Sequence, residues 1–278
     1  STPWIGPAST SNRNSAPSRN IHSAIAVGRY GIVKYRLGRT NASFLTLVTA
    51  LLMLCSIPSK AEDYTQAVGT IYCDGGIRGI ATHIQLPPNF NDNGSVIVTA
   101  AHVLYNPQTD QLFNQCDYRP QNKRLGGIGI ETVSAHKYSA TNKDKIAQAE
   151  SDLVFIKLKN TAHQPALKLA QNFSNKVSEL SFIGPNLDSF KQTKCQKINH
   201  PKLASDALLL HNCPVQQGSS GSPILDSVSG DIIAVHGGRF TVQTAKDSKE
   251  STEWIGQARR IDFQTHNALG HIINREIH

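Results

Sequence analysis

The stretch Gln216-Gln217-Gly218-Ser219-Ser220-Gly221-Ser222-Pro223-Ile224 constrains this chain more than any other. Five of its nine residues are Gly or Ser, and the apolar pair Ile224-Leu225 follows at once. Such a stretch is a tight turn delivered to the head of a strand. Gly218 can take a backbone conformation closed to other residues, and Gly221 lets another segment pack against it. Ser220 is left between them with its side chain presented. If the N–H groups of Gly218 and Ser220 point the same way, they form a donor pair for a developing negative oxygen. A serine used in this way needs a base in hydrogen-bond reach and a third group to orient that base.

The chain carries candidates for both. Val96-Ile97-Val98-Thr99-Ala100-Ala101-His102-Val103 is a β-branched run that ends in two alanines and a histidine. Ser151-Asp152-Leu153-Val154-Phe155-Ile156-Lys157-Leu158 places an aspartate at the head of a buried-strand pattern. Asp144, in the polar stretch Thr141–Glu150, is the rival carboxylate, but no buried strand follows it to hold it rigid. The order His102, Asp152, Ser220 is that of the chymotrypsin-type triad, not of the subtilisins or α/β-hydrolases. With Thr99-Ala100-Ala101-His102, Asp152-Leu153-Val154-Phe155 and Gly218-Ser219-Ser220-Gly221-Ser222-Pro223, the chain resembles the trypsin/chymotrypsin-like serine peptidases of the bacterial secreted type. The Gly-x-Ser-Gly-Ser-Pro form, in place of Gly-Asp-Ser-Gly-Gly-Pro, resembles the glutamyl-endopeptidase branch.

The resemblance implies an all-β fold: two six-stranded antiparallel β-barrels of chymotrypsin type with a C-terminal helix. It implies a serine endopeptidase with His102, Asp152 and Ser220 as the catalytic triad. The backbone N–H groups of Gly218 and Ser220 would form the oxyanion hole. The substrate is a polypeptide, and no cofactor is needed. Ile232-Ile233-Ala234-Val235-His236-Gly237-Gly238-Arg239 resembles the strand that lines the primary pocket. A histidine at the place of His236 faces the substrate carboxylate in the glutamyl branch, and Arg239 could add positive charge. This points to Glu or Gln before the cut bond. Val215 lies where that branch tends to carry a hydroxyl, which speaks against it. His236 also has a plain structural reading, as a satisfied core histidine. Gly237–Phe240 is expected to pair with substrate backbone as an added strand. Animal members switch on through a salt bridge to an Asp just before the nucleophile; here that place is Ser219, so no such switch is expected. A catalytically silent peptidase-fold binding protein is the alternative, although such proteins usually lose a triad residue.

Charge argues against a nucleic-acid partner once it is counted by segment. The chain of 278 residues has 28 Lys/Arg against 20 Asp/Glu. Seven of the basic residues and none of the acidic ones fall in residues 1–61, which leaves 21 against 20 in the rest. Residues 1–28 lack hydrophobic periodicity. A cationic stretch with Arg29, Lys34, Arg36 and Arg39 follows, then an apolar core at 44–57 and the A-x-A-like Ser59-Lys60-Ala61. That is the layout of a secretory signal peptide cleaved after Ala61. The 14-residue core is shorter than the roughly 20 residues of a membrane span. Met53 inside this core is the one Met of the chain, so the start is expected within the given sequence, at Val33 read from a non-standard codon. An uncleaved signal anchor is the other reading of this segment. The body, 62–278, is expected as a monomer, secreted or periplasmic, without stable membrane association after signal removal.

Within the body the pattern predicts a first barrel over about 62–165, a second over about 171–260 and a helix over about 262–276. Residues 104–127 read as loop-rich, and Asp231–His236 and Phe240–Gln243 as the last two strands of the second set. The helix is expected to bury Phe263, Leu269, Ile272 and Ile273 on one face. Cys73, Cys116, Cys195 and Cys213 remain after signal removal and allow three pairings. Cys73 with Cys116 and Cys195 with Cys213 are preferred, because each pair falls within one strand set; free buried thiols are the other reading. No metal-ligand spacing is present: His266 and His271 stand five apart, the wrong offset for one helical face.

Overall fold

A computed structural model describes residues 63–88, 95–121, 124, 126–171, 177–246 and 249–273. The expectations for the leader, the apolar core and the cleavage after Ala61 lie outside these residues. Strand β1 (Val68–Cys73) turns into β2 (Gly76–His83) through Asp74-Gly75, both at positive φ (46° and 81°). This is the two-residue turn whose twist matches that of the flanking strands. Then follow β3 (Val96–Thr99), the small hairpin β4–β5 (Tyr105–Asn106 and Gln111–Leu112), β6 (Cys116–Pro120), β7 (Ile128–Val133) and β8 (Val154–Leu158). Six of these close a barrel in the order β1-β2-β3-β8-β7-β6. The second set is β9 (Glu179–Asn186), β10 (Ser189–Ile198), β11 (Leu208–His211), β12 (Pro223–Asp226), β13 (Ile232–Lys246) and β14 (Lys249–Arg260). It closes a second antiparallel barrel in the order β10-β11-β14-β13-β12-β9.

Strands β3 and β8 show why the apolar runs fold as they do. Every residue of both is buried, so they read as continuous hydrophobic stretches without alternation. They pair side by side, Val96 with Lys157 through Thr99 with Val154. This places His102, just past β3, and Asp152, just before β8, at one end of the first barrel. Lys157, inside this run, is buried with its Nζ 3.6 Å from Glu131.

Three expectations need correction. Residues 104–127 are not simply loop: β6 lies there, held opposite β1, and its Asp-Tyr-Arg-Pro sequence is too short and polar to announce a strand. The segments 231–236 and 240–243 are one strand, β13, and its partner β14 was absent from the pattern because its outer half is polar. The C-terminal helix, Phe263–Ile273, buries Thr265, Leu269, Ile272 and Ile273, but Phe263 is 77% exposed. At about 100° per residue, nine residues of helix set Phe263 on the side opposite Ile272. Short helix α1 (Lys145–Glu150) also escaped the pattern; the C-terminal helix is α2.

Both preferred disulfides are formed, Cys73–Cys116 and Cys195–Cys213. Strand register explains the first, since Cys73 faces Cys116 across β1 and β6. The second joins β10 to the residues just after β11, whose register pairs Lys197 with His211. The Cys195–Cys213 link closes 18 residues of chain. Replacing both cysteines by serine is expected to lower stability by about 3 kcal/mol, read as a lower urea midpoint.

Candidate active site

His102 sits on a single 3-10 turn, Ala101–Leu104, at the end of β3. Asp152 follows α1, where its N–H donates to Ala149 O at 3.2 Å, and leads into β8. The carboxylate holds the histidine at two points. His102 N donates to Oδ1 at 2.9 Å, and His102 Nδ1–H donates to Oδ2 at 2.7 Å. Asp152 is 3% exposed. The bond fixes the proton of neutral His102 on Nδ1 and leaves Nε2 free to accept another. Burial is the largest influence on His102 and pushes its pKa down; the charge of Asp152 and its hydrogen bond push up and together prevail, so the pKa is raised. Asp144, the rival carboxylate, is spent as the N-cap of α1, accepting from Ile146 N and Ala147 N at 3.0 and 3.1 Å.

The serine loop is tied to both barrels. Ile80 N of β2 donates to Ser220 O at 2.7 Å, and Gly221 N donates to His236 O of β13 at 2.8 Å. Gly218 and Gly221 have φ of 87° and 84°, the region that favours glycine. A Cβ on Gly221 would run into Ile80 O and Thr99 Oγ1, three residues before His102. The serine loop therefore lies against the histidine segment only because residue 221 has no side chain. Ser219 N, Gly221 N and Ser222 N all bond to backbone carbonyls, whereas Gly218 N and Ser220 N have no such acceptor among the described residues. They are the two amides from which the sequence reading expects a donor pair. Ser219 is buried, and its Oγ accepts from Gln216 N at 3.0 Å, bracing the loop from within. Ser220 Oγ makes no hydrogen bond among the described residues, His102 included. Bonds of this kind often tighten only with substrate in place.

The remaining expected residues separate. Gly237, Gly238 and Arg239 line a cavity of about 620 Å³ together with His102, Asp152 and Tyr138. A second cavity, of about 650 Å³, opens beside Gln217 and Gly218 and is walled by Ile77, Leu187 and Phe190. Arg239 is exposed, with its guanidinium 4.9 Å from the ring centre of Trp254. Val215 is half-buried against the second core. His236 is buried and pairs with His211, a residue the sequence did not single out: Nε2 of His211 lies 3.1 Å from Nδ1 of His236. Cys213 N donates to His211 Nδ1 at 3.2 Å. His211 therefore carries its proton on Nε2 and donates to His236, which leaves the proton of His236 on its own Nε2. Burial pushes His211 down to about 4. Burial, then the neighbouring His211, His102 and Arg239, push His236 well below its ordinary value. Both rings are neutral at neutral pH. Among the described residues no group of three or more His, Cys, Asp or Glu could hold a metal ion.

Two closed antiparallel barrels with this histidine, aspartate and serine loop define the chymotrypsin-like serine peptidase architecture. The chain belongs to the trypsin-like peptidase domain family, whose profile matches residues 89–235. No curated protein matches it. Similar solved structures include a Glu endopeptidase in complex with MPD, at 13% identity over 77% of this chain and 93% of that one, TM-score 0.56. The thermostable serine protease AL20 from an extremophilic microorganism is 15% identical over 76% and 99%, TM-score 0.58. The protease Anisep from Arthrobacter nicotinovorans is 18% identical over 76% and 96%, TM-score 0.54. At these identities the likeness is one of fold.

The buried histidines make stability depend on pH. The unfolded chain takes up protons on His211 as pH falls through 6.5, while the folded chain resists until about 4. Stability is thus full above 6.5 and lost as pH falls across that window, by about 3 kcal/mol from His211 alone. His102 has the opposite sign: with its pKa raised, its contribution is present below 6.5 and lost as pH rises through the folded value. The urea midpoint is expected to fall between pH 6.5 and 4.5, and His211→Asn to flatten that fall.

Proposed function

We propose that this chain is an exported serine endopeptidase that hydrolyses peptide bonds through His102, Asp152 and Ser220, with Glu or Gln preferred before the cut bond. The observation that carries the reading is the two-point hold of Asp152 on His102. It leaves His102 Nε2 as an oriented base beside the serine loop. In the proposed reaction Nε2 takes the proton of Ser220 Oγ as that oxygen bonds to the scissile carbonyl carbon. The carbonyl oxygen becomes an anion and is met by the N–H groups of Gly218 and Ser220. As the C–N bond breaks, the imidazolium gives its proton to the leaving amine, and Asp152 stabilises the imidazolium in between. Water, activated by the same nitrogen, then releases the acyl group from Ser220.

Substrate backbone adds as a strand along Gly237–Phe240. Of these, Gly238–Phe240 pair with β14 on one edge, and β12 reaches only as far as Val235 on the other. The second cavity, beyond Gly218, takes the leaving half of the substrate. The Glu or Gln preference rests on the place of His236, which matches the pocket histidine of the glutamyl branch, and the pair with His211 keeps its ring neutral. Two formed disulfides support export to an oxidising compartment. No helix among the described residues is long and apolar enough to cross a membrane.

The purified chain is expected to cut a mixed peptide pool after Glu or Gln, and Ser220→Ala to lose on the order of 10⁶-fold. A cleavage profile led by Lys, Arg or large aromatics refutes the preference but leaves the triad standing. A folded, disulfide-bonded parent that cuts nothing refutes the triad and turns the reading to a silent binding protein.

A further inference from the structure

Strand β14 turns one face toward the segment that carries Asp152. Two residues on that face, Gln257 and Arg259, stand two apart, the spacing at which strand side chains point the same way. Arg259, buried, donates from Nε to Glu150 O at 2.6 Å, two residues before Asp152. Its Nη1 bonds Asp262 Oδ2 at 2.6 Å and the carbonyls of Ala207 and Arg260. Ser205 Oγ adds a bond to Glu150 Oε1 at 2.5 Å. The second barrel therefore grips the backbone from which the carboxylate hangs.

Gln257 approaches the carboxylate without a hydrogen bond to it. A Cβ built on Gly237 would lie 2.7 Å from Asp152 Oδ2, 2.7 Å from Gln257 Nε2 and 3.1 Å from Gln257 Oε1. Carboxylate and amide converge on the space that Gly237 leaves empty. Gln257 is 7% exposed, and its Oε1 is buried without a hydrogen-bond partner. A buried amide left unpaired is costly, and an apolar side chain of equal size would pack more favourably there. Asp152 takes both of its hydrogen bonds from His102, whereas an ionised carboxylate can accept about four.

We propose that Gln257 is a positioning residue for Asp152. A rotation of its terminal amide brings the N–H onto Oδ2 in the working enzyme, and the bond fixes the carboxylate against His102. Gly237 is the residue that makes room for it. The inference rests on the triad reading above and adds to it a residue from the opposite barrel. The bond also draws off part of the negative charge that Asp152 presents to His102. Other charged or titratable groups that face this pair are Tyr138, Tyr105, Lys145 and Arg239 around the cavity, His136 beside Tyr105, and His236 behind Gly237.

The test is Gln257→Met, which keeps length and removes the donor, beside Gln257→Glu, which keeps shape and sets an acid against a carboxylate. In Gln257→Met, kcat is expected to fall about tenfold, a modest loss on the transition-state scale, with KM nearly unchanged. The acid limb of the pH profile of kcat/KM should move to higher pH, because Asp152 then presents its full charge to His102. Gln257→Glu should move it further in the same direction. NMR titration of the His102 imidazole reads the same shift without turnover, and so serves if either variant is weakly active. Unchanged kcat with an unmoved His102 titration in both folded variants overturns the proposal. A parent chain that cuts nothing overturns the triad reading instead, and the His102 titration still decides whether Gln257 acts on Asp152.

Discussion

The bond from His102 Nδ1 to Asp152, 2.7 Å long and made to a buried carboxylate, is the contact on which the rest of the site depends. A carboxylate buried this deeply is stable as an anion only if donors surround it. His102 supplies two from one residue, through its backbone and its ring. The histidine is thereby fixed in rotation and in tautomer at once, before any substrate arrives. Everything nearby serves this fixity: α1 is capped by Asp144 and its far end is held by Arg259, so the aspartate cannot swing away.

The same logic of opposed environments runs through the histidines. His102, His211 and His236 lie near one another, the last two buried and His102 partly exposed. A carboxylate faces the first and raises its pKa, while burial lowers the other two, joined at His236 by the neighbouring His211, His102 and Arg239. One ring is thus readied to take up a proton, and two are held as neutral donors. Burial alone would have pushed all three the same way.

The candidate site was legible in the sequence where the proposed chemistry leaves local marks. The Gly218–Pro223 loop, the Thr99–His102 turn and the Asp152–Phe155 strand head each combine a functional side chain with the small or β-branched neighbours that hold it. The histidine partner was not legible, because His211 stands in Leu208-Leu209-Leu210-His211 and reads as the polar end of an apolar strand. Gln257 and Arg259 were hidden for a different reason. They belong to β14, whose outer half is polar and gives no alternation, and the residues they lie against are in the opposite barrel, 109 residues away in sequence for Arg259 and Glu150. Only register, Gly238 against Gln257 and Val235 against Arg259, brings them to the site. Phe263 misled for the reverse reason: it is apolar, but it begins the helix on the outward side.

Helix α2 closes a loop in the order of assembly. Its Leu269, Ile272 and Ile273 are buried in the same core as Val96, Val98 and Phe155 of the first barrel. The residues that complete the first barrel's interior are therefore among the last of the described chain to be synthesised. A chain emerging from its N-terminal end can pair β1 to β8 long before that interior can be sealed. The segment that seals it has to pass through the second barrel's sequence first. Maturation of the histidine-bearing half is in this way timed by the half that brings the serine.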